Sequence, residues 1–471
     1  MSRINTNIPA LQATHRLIAN QSDLTTRLER LSTGLRINRG KDDPAGLIAS
    51  ETLRNEIRGI EAALSNSQRA INVLSVAEGA LNEVSSLLLD MQQLIVTSAN
   101  DGAISDTELQ ANQLQIDSIL ESIDRIANTT QFGGDKLLNG EMAYTLSGVN
   151  SNNIVTVTTF GARLPDNASR SVQVEVTTSA QQALLSYTGA TVSQNVSFEL
   201  ASESGLEVFS FASGTSIANI ATAVNGATSL TGVTASATAT TLTLTSTNYG
   251  TDAYISVKAL DGDFIATQGS STTDRGQNAG VLINGQSAFV KGKTASLRAN
   301  GFDVVVDLTA AFATLAGSAT TSFQITGGGA KFQIGPDVNT AGRVDIGIPS
   351  VSISNLGNND VGYLNTVKSG GVNSVISKNY QTAEEILDEA ISQTAIIRGR
   401  IGGLQKNQIE SNVNSQRVAL ENVTAAESVI RDADYASEVS KMTRSQILVQ
   451  STTQILGLSN QLPQSVLSLL G

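Results

Sequence analysis

The chain has 471 residues and a formal net charge of −12. A strongly acidic chain is a poor partner for nucleic acid, which is bound through basic surfaces, and for anionic membranes. Cysteine is absent and His15 is the single histidine, so neither a thiolate or multi-histidine zinc site nor a histidine-based catalytic triad can be built. We therefore expect no enzymatic activity, no metal and no cofactor, and binding to neither nucleic acid nor membranes.

Aromatic residues divide the chain into three parts. All eleven phenylalanines lie between Phe132 and Phe332, and residues 1–131 contain no Phe, Tyr or Trp.

No run of about 18 apolar residues occurs, so we expect no membrane-spanning helix. The first residues, Met1 to Asn5, carry no apolar segment. This predicts that the protein, if exported, uses a route that reads no cleaved signal peptide.

A first helix is predicted close to the N-terminus. Its apolar stripe comprises Ile4, Ile8, Leu11, Ile18, Leu24, Leu28, Leu31 and Leu35, the last four at steps of 4, 3 and 4. A polar break follows. There Asp43 is placed to cap the next helix and Pro44 to occupy its first position.

A second and much longer helix is predicted from Ala45 to Asn100, which contain no proline. Steps of 3 or 4 are typical of a left-handed coiled coil, and two successive steps of 3 near Ala77 predict a stammer. The stripe comprises Ile57, Ile60, Leu64, Ser67, Ile71, Leu74, Ala77, Leu81, Val84, Leu88, Met91 and Ile95. Ser105 or Asp106 is placed to cap a third helix, and residues 131–136 are predicted to form a loop.

The middle of the chain is predicted to be β-rich. From about Gly140, apolar residues alternate with polar ones, which predicts strands at residues 172–176, 242–244 and 302–306, each with one buried face. One short helix is predicted over residues 216–225. The glycines 327–329 resemble a hinge, and a hairpin is predicted near residues 332–356.

The helical pattern returns from Ser374. Ile386, Ala390, Ile397, Ile401 and Leu404 are followed by Val413, Gln416, Leu420, Val423, Glu427 and Ile430 at strict 3-4 spacing. Gly399, Gly402 and Gly403 lie within this stretch; they either allow close approach of a neighbouring helix or mark a local break. A last helix carries Ile447, Leu448, Ile455, Leu456 and Leu458, and Pro463 is predicted to interrupt it. Val466, Leu467, Leu469 and Leu470 close the chain.

These patterns predict an α+β multidomain fold. Long antiparallel coiled-coil-like helices from both chain ends form a stalk, and a β-rich domain is inserted between them. Two thin terminal helices can bury only one face against each other, so the remaining apolar face is available to other copies. We expect the ends to be loose in the monomer and to fold on assembly, and a non-closing contact between copies builds a helical polymer.

The terminal motifs closely resemble bacterial flagellin, over roughly residues 1–140 and 330–471. The similarity rests on residues 3–7 (RINTN), 31–38 (LSTGLRIN), 41–46 (KDDPAG), 78–83 (EGALNE), 136–140 (KLLNG), 432–436 (DADYA), 445–448 (SQIL) and 463–467 (PQSVL). A weaker resemblance, in residues 214–244, is to an insert that some flagellins contain.

The resemblance implies a structural subunit of the extracellular flagellar filament. Residues 1–43 and 432–471 would form an inner coiled coil lining the channel, residues 44–140 and 331–431 a rod-like helical domain, and residues 141–330 a surface-exposed variable insert. Implied partners are further copies, the type III export apparatus, a chaperone at the C-terminus, and the hook-associated and cap proteins. The alternative is a hook–filament junction protein, which shares the same terminal organisation.

One window departs from the family motif. Many flagellins carry Gln-Arg-x-Arg-Glu where this chain has Leu89, Asp90, Met91, Gln92, Gln93 and Leu94. That motif is recognised by the vertebrate Toll-like receptor for flagellin and packs between subunits. Because Asp90 replaces an arginine, a hydrogen-bond donor becomes an acceptor and the charge reverses. The resemblance therefore implies weak or no receptor recognition and altered subunit contacts here.

Overall fold

The computed structural model describes residues 6–164, 168–299, 301–315, 317 and 319–467, with the side chains of 462–467 not described. The chain divides into two compact units. The first comprises Met1–Ser67, Ile334–Asp337 and Glu410–Gly471, and the second Gln68–Gln333 and Val338–Ile409.

The helices of the described residues lie mainly at the two ends of the chain. They are α1 (Ile8–Thr33), α2 (Pro44–Ser98), α3 (Asp106–Thr129), α4 (Ile217–Gly226), α5 (Thr228–Thr231), α6 (Ala310–Ala313), α7 (Tyr380–Leu404), α8 (Ser411–Arg431) and α9 (Tyr435–Leu467). Short 3₁₀ turns lie at Leu364–Val367 and Val375–Ser377, and a π-helical turn at Gln405–Glu410 joins α7 to α8.

The strands follow one another through the middle of the chain. They are β1 (Gln131–Phe132), β2 (Asp135–Lys136), β3 (Tyr144–Ser147), β4 (Ile154–Ala162), β5 (Arg170–Thr178), β6 (Gln182–Thr188), β7 (Val196–Ser202), β8 (Leu206–Phe211), β9 (Val233–Ala237), β10 (Thr241–Tyr249), β11 (Tyr254–Asp261), β12 (Thr273–Arg275), β13 (Gly280–Ile283), β14 (Gln286–Ser287), β15 (Phe289–Lys291), β16 (Thr294–Ala299), β17 (Phe302–Leu308), β18 (Ala319–Gly328), β19 (Ala330–Gln333), β20 (Arg343–Ile346), β21 (Gly357–Asn358) and β22 (Gly362–Tyr363).

The limits of α1 and α9 correct two predictions. The Asn7 side chain caps the start of α1, and Gly34, with a φ of 73°, ends it. Leu35 therefore lies beyond the helix, where it forms a β-bridge with Asp432, and is not part of the helical stripe. Helix α9 continues through Pro463 to Leu467, so the predicted interruption is wrong. A proline removes one main-chain hydrogen bond, and the rest of a long helix can still form around it.

Helix α2 begins as predicted, because Asp43 Oδ1 accepts a hydrogen bond from the Gly46 N–H at 2.9 Å. From Ile60 to Ser98 its buried residues alternate in steps of 3 and 4: Ile60, Ala63, Ser67, Ala70, Leu74, Ala77, Leu81, Val84, Leu88, Met91, Ile95 and Ser98. The predicted stammer near Ala77 is therefore wrong. The small Ala63 and Ala70 are fully buried, whereas the larger Leu64 and Ile71 remain partly exposed.

Ser105, not Asp106, caps α3. Its side chain and that of Glu108 form a reciprocal capping box, which supplies acceptors to the N–H groups at the helix start. The loop predicted over residues 131–136 is instead a β-hairpin. Strands β1 and β2 pair across Gly133 and Gly134, whose φ angles of 66° and 104° suit a tight turn.

The middle of the chain forms antiparallel sheets around two cores. The first core lies within the sheets β14-β13-β5-β18-β3 and β15-β16-β17-β4, and includes Val172, Val174 and Val176, all fully buried. The second lies within the sheets β12-β11-β7-β8 and β6-β10-β9 and helix α4, whose predicted apolar face is buried. All three predicted strands are confirmed, as β5, β10 and β17.

The second core is formed by a segment inserted into the sequence that forms the first core. All its buried residues lie between Ala183 and Ala266. Immediately outside this segment, Gln181 and Gln277 exchange two main-chain hydrogen bonds, each 2.9 Å long. The segment thus begins and ends at adjacent points.

Two further predictions concern the region after the insert. The predicted hairpin is confirmed, since β19 pairs with β20 from Ala330–Ile346 to Gln333–Arg343. Both alternatives for the glycines of α7 are wrong. The helix continues through Gly399, Gly402 and Gly403, and a Cβ atom at any of them would meet no other atom within 4 Å. The irregular turn comes later, at Gln405–Glu410.

Candidate self-assembly surface

Helices α1 and α9 pack antiparallel within the first unit of the single chain, in contrast to the expectation that the ends fold only on assembly. Three contacts at increasing positions in α1 meet decreasing positions in α9. Asn7 Nδ2 lies 2.8 Å from the Ser459 carbonyl oxygen, Asp23 Oδ2 2.5 Å from Ser445 Oγ, and Arg27 Nη1 3.0 Å from Glu438 Oε2. This reversed order brings the two ends of the chain together along most of both helices.

The surface between the two helices combines buried small and polar side chains with partly buried leucine, methionine and valine side chains. We call inner seam the residues of α1 and α9 that lie on this face at 3-4 spacing: Ala10, Ala13, Leu17, Asn20, Leu24, Arg27 and Leu31, with Glu438, Met442, Ser445, Val449, Thr452, Leu456 and Ser459. The buried members are Ala13, Glu438, Ser445, Thr452 and Ser459, and the others are half-buried. Small side chains allow the helix backbones to approach closely.

A carboxylate lies at the centre of the charge cluster in this seam. Glu438 is 4% exposed and accepts hydrogen bonds from Arg27 and Lys441, and Arg30 Nη1 lies 3.6 Å away. Burial alone would raise the pKa of Glu438, but the hydrogen bonds from Arg27 and Lys441 outweigh it and lower that pKa below its usual value. The ionised form of Glu438 is therefore favoured in the folded pair.

Asp23 extends the same cluster. The hydrogen bond from Ser445 has the largest effect and lowers the pKa of Asp23, and the charge of Arg27, 3.0 Å away, acts in the same direction. Both carboxylates thus contribute to the pairing of α1 with α9 as anions.

A short main-chain clasp closes the other end of the pair. The Arg36 N–H donates to the Arg431 carbonyl at 2.7 Å, and the Ala433 N–H donates to the Gly34 carbonyl at 2.9 Å. The Arg36 guanidinium also donates to the Ile430 carbonyl, with Nη2 at 2.6 Å. The polar break after α1 therefore meets the junction between α8 and α9.

Away from the inner seam, the same helices expose large apolar side chains. We call outer face the set Ile8, Leu11, Ile18 and Leu28 of α1 with Ile447, Leu448, Ile455 and Leu458 of α9, which are 42–64% exposed. These eight residues belong to the apolar stripes predicted from the sequence. The fold therefore separates a mixed seam used within the chain from large apolar side chains that the described chain leaves about half exposed.

The remaining predicted residues lie elsewhere. Leu24, Leu31 and Leu456 belong to the inner seam, and Leu35 lies beyond the end of α1. Ile4, Leu469 and Leu470 fall outside the described residues, as do the side chains of Val466 and Leu467. Sequence reasoning missed the seam residues Glu438, Ser445, Thr452 and Ser459. Their strict seven-residue spacing is the signal that could have revealed them, but a search for apolar stripes passes over it.

The window at residues 89–94 lies on α2 in the second unit. Leu89, Asp90 and Gln93 are exposed, whereas Met91 is fully buried in the helix seam. Gln92 Nε2 donates to Asp388 Oδ1 of α7 at 3.0 Å. The window therefore presents Leu89, Asp90 and Gln93 to solvent, and Met91 acts in packing.

Family models match three segments of the chain. Residues 4–143 match the bacterial flagellin N-terminal helical region, residues 385–470 the C-terminal helical region, and residues 197–248 the flagellin hook IN motif. The flagellin of Salmonella muenchen is 30% identical over 526 aligned residues, which cover 99% of each chain. This chain belongs to the flagellin family. Members of this family are structural subunits of the bacterial flagellar filament, outside the cell, and serve motility.

Other relatives extend the comparison. The flagellin of Bacillus subtilis is 27% identical over 470 residues, again covering 99% of each chain. Among solved structures, flagellar hook-associated protein 3 of Legionella pneumophila is 15% identical, with a TM-score of 0.30 over 80% of this chain and 97% of that chain. Within the part of the flagellin chain that the structure describes, no helix is long and apolar enough to cross a membrane. Those residues also contain no cluster of three or more His, Asp or Glu side chains suited to a metal ion.

Proposed function

We propose that this flagellin polymerises into the flagellar filament and that its outer face is the surface that neighbouring copies cover. The observation that supports this most strongly is the division of α1 and α9 into two faces. The inner seam pairs the helices within the chain, and away from it Leu11, Ile18, Ile455 and Leu458 are each more than half exposed.

The energetics of burial point the same way. Moving a leucine or isoleucine from water into a core is worth roughly 1.5–3 kcal/mol. Covering eight half-exposed side chains of this kind would therefore contribute substantially to the free energy of assembly. Eight exposed leucine and isoleucine side chains on two paired helices exceed the isolated ones usual on a protein surface, which supports a protein-binding role. Copies that meet through two different surfaces, in a contact that does not close into a ring, form a helical filament.

The domain assignment is part of the same proposal. Residues 1–43 and 432–471 form the inner coiled coil that lines the channel, a role supported by the 3-4 spacing of the inner seam. Residues 44–140 and 331–431 form the surrounding helical domain with its hairpin, and residues 141–330 form the variable filament surface. The chain acts as a structural protein and not as an enzyme.

Export and assembly partners belong to this proposal. An apolar outer face on α9 needs cover before polymerisation, which supports a chaperone that holds the C-terminal segment until the type III export apparatus takes the chain. In the completed flagellum, the hook-associated and cap proteins are its neighbours at the filament ends.

The test uses paired substitutions that differ only in location. Leu11→Gln with Ile455→Gln removes two apolar side chains from the outer face, at 60% and 52% exposure, and is expected to abolish seeded filament growth in electron microscopy. Leu206→Gln with Leu260→Gln makes the same change at residues of the insert that are 55% and 50% exposed, and should leave growth intact. Normal growth of the first variant, with unchanged circular dichroism, would refute the proposal.

Copy number separates the filament subunit from a hook–filament junction protein. The proposal expects thousands of copies along each filament, detected by labelling the chain in isolated flagella. Label confined to the junction would replace the proposed role with the alternative one.

A further inference from the structure

A cleft in the second unit concentrates positive charge on an otherwise acidic protein. Arg163, Arg298 and Arg400 line it, and Arg343 forms an ion pair with Asp345 of its wall. The acidic residues at its wall are Asp303 and Asp345. Three lining arginines against two lining aspartates leave an excess of one positive charge, on a chain whose net charge is −12.

Both aspartates are already engaged. Asp345 is 2.8 Å from Arg343 Nε and almost fully buried. Asp303 shares its carboxylate between Arg400, which contacts Oδ1, and Arg298, whose Nε lies 3.6 Å from Oδ2. Arg163 is exposed and lies against Gly301, and it has no acidic partner among the described residues. Part of the guanidinium surface of this cleft is therefore left for a ligand.

Two features position the arginines of this cleft. The Arg400 guanidinium stacks on the ring of Phe160, with Cζ 3.8 Å from the ring centroid. Gly301, with a φ of 73°, turns the chain between β16 and β17, and a Cβ atom there would lie 2.8 Å from Arg163 Nε. Gly301 lies in the cleft wall with Arg298 and Arg163, and a larger residue at position 301 would displace the Arg163 side chain.

The geometry points to a binding site for a small oxyanion, and we propose that this cleft binds a phosphate, sulfate or carboxylate group, either free or carried by a single acidic sugar. Guanidinium groups match such oxyanions through paired N–H donors. The cleft measures about 220 Å³, below the roughly 300–1,000 Å³ of sites for drug-sized ligands. It therefore suits one anionic group or one sugar ring.

The experiment titrates the full-length monomer with sodium sulfate, phosphate or glucuronate by calorimetry at constant ionic strength. Saturable binding of at least one of these anions at millimolar concentration is expected. Arg163→Gln with Arg298→Gln should weaken it roughly tenfold or more, because charged hydrogen bonds are lost. Both arginines are exposed, so the variant should fold, and thermal unfolding checks this.

A charge-matched control separates a built site from general attraction of anions. Lys258→Gln with Lys291→Gln removes the same charge from exposed positions that do not line the cleft, and binding should persist. Tighter binding of glucuronate than of the inorganic ions would identify an acidic sugar as the ligand, and the reverse order a free anion. Absence of saturable binding for all three anions, or equal weakening in the control, would overturn the proposal.

Discussion

The side-chain amide of Asn7 donates a hydrogen bond to the main-chain carbonyl of Ser459, with Nδ2 2.8 Å from the oxygen. Four residues after Ser459 comes Pro463, which has no N–H, so this carbonyl lacks its usual donor within the helix. Asn7 supplies a donor in its place. At the same time its Oδ1 accepts the Ala10 N–H at 3.1 Å and caps α1. One asparagine thus serves the start of α1 and the interrupted hydrogen bonding of α9.

Asn7→Asp tests this double role, because aspartate can still cap α1 but cannot donate to Ser459. We expect it to lower the stability of the terminal pair by about 0.5–1.5 kcal/mol, measured as faster hydrogen exchange in α1 and α9. Gln12→Glu introduces the same charge at an exposed position of α1 and is the control. In a Pro463→Ala background, the residue 463 N–H can donate to the Ser459 carbonyl. Asn7→Asp should then lower the stability of the terminal pair by a smaller amount. An equal cost in both backgrounds would contradict the assignment.

The pairing of α1 with α9 should depend on acid pH. The folded-state pKa of Glu438 and that of Asp23 lie below their usual values, so these groups stabilise the pair above about pH 4–4.5, where the unfolded carboxyls are also ionised. The stabilisation is lost as the pH falls through the lowered folded-state pKa values. Helicity of the terminal segments followed by circular dichroism should decrease over this range before the insert unfolds.

Glu438→Gln is the control for this acid transition. The amide keeps the shape of the side chain but not its charge. At neutral pH the terminal pair of the variant should therefore be less stable by about 1–3 kcal/mol. Its helicity should also decrease less on acidification than that of the parent chain. If the variant and the parent chain lose terminal helicity in parallel, the charge cluster is not the cause.

The inner seam and the outer face should respond differently to changes of side-chain size. Ala13 is 5% exposed and faces α9, so Ala13→Leu should overpack the seam and destabilise the pair by about 1–3 kcal/mol in the monomer. Leu11→Ala, two residues away on the outer face, should leave monomer stability nearly unchanged and slow polymerisation. Thermal unfolding of the monomer and light scattering during growth measure the two effects. Similar monomer stabilities for both variants would argue against the division into two faces.

The surface at Asp90 leads to a prediction that rests on the resemblance to other flagellins. Asp90 is exposed beside Leu89 and Gln93, so its negative charge is available to a partner. Purified monomer should activate the vertebrate Toll-like receptor for flagellin weakly or not at all in a cell reporter assay. Asp90→Arg, which restores a donor, should increase the response, and Asp106→Arg on α3 controls for net charge. Full activation by the unmodified chain would rule out this prediction.

The elements with strong periodicity could be predicted from the sequence. The strands around Val174, Leu244 and Val304 and the helix capped by Ser216 lie where alternation and spacing place them. The outer face could be predicted for the same reason, because its members are leucine and isoleucine at helical spacing. Burial of large apolar side chains dominates these elements, and sequence periodicity records it directly.

The buried positions of the inner seam could not be predicted in this way. Its buried positions hold alanine, serine, threonine and glutamate, which are common on exposed surfaces, and only the pairing of α1 with α9 removes them from water. The same reason explains α2, where Ala63 and Ala70 occupy positions that the sequence pattern gave to Leu64 and Ile71. Close approach of helices selects small residues, and a search weighted by hydrophobicity passes over them.

The exchange of hydrogen bonds between Gln181 and Gln277 has a consequence for how this protein can vary. The segment between these two residues leaves and rejoins the rest of the second unit at adjacent positions, and it has its own hydrophobic core. A foreign domain whose ends lie equally close can therefore replace most of this segment, whose other contacts with the surrounding strands include Tyr249 against the first core and the Asp252–Lys291 ion pair. Gln181 and Gln277 therefore mark the position in this chain where a new domain can be inserted with little loss of stability in the remaining strands.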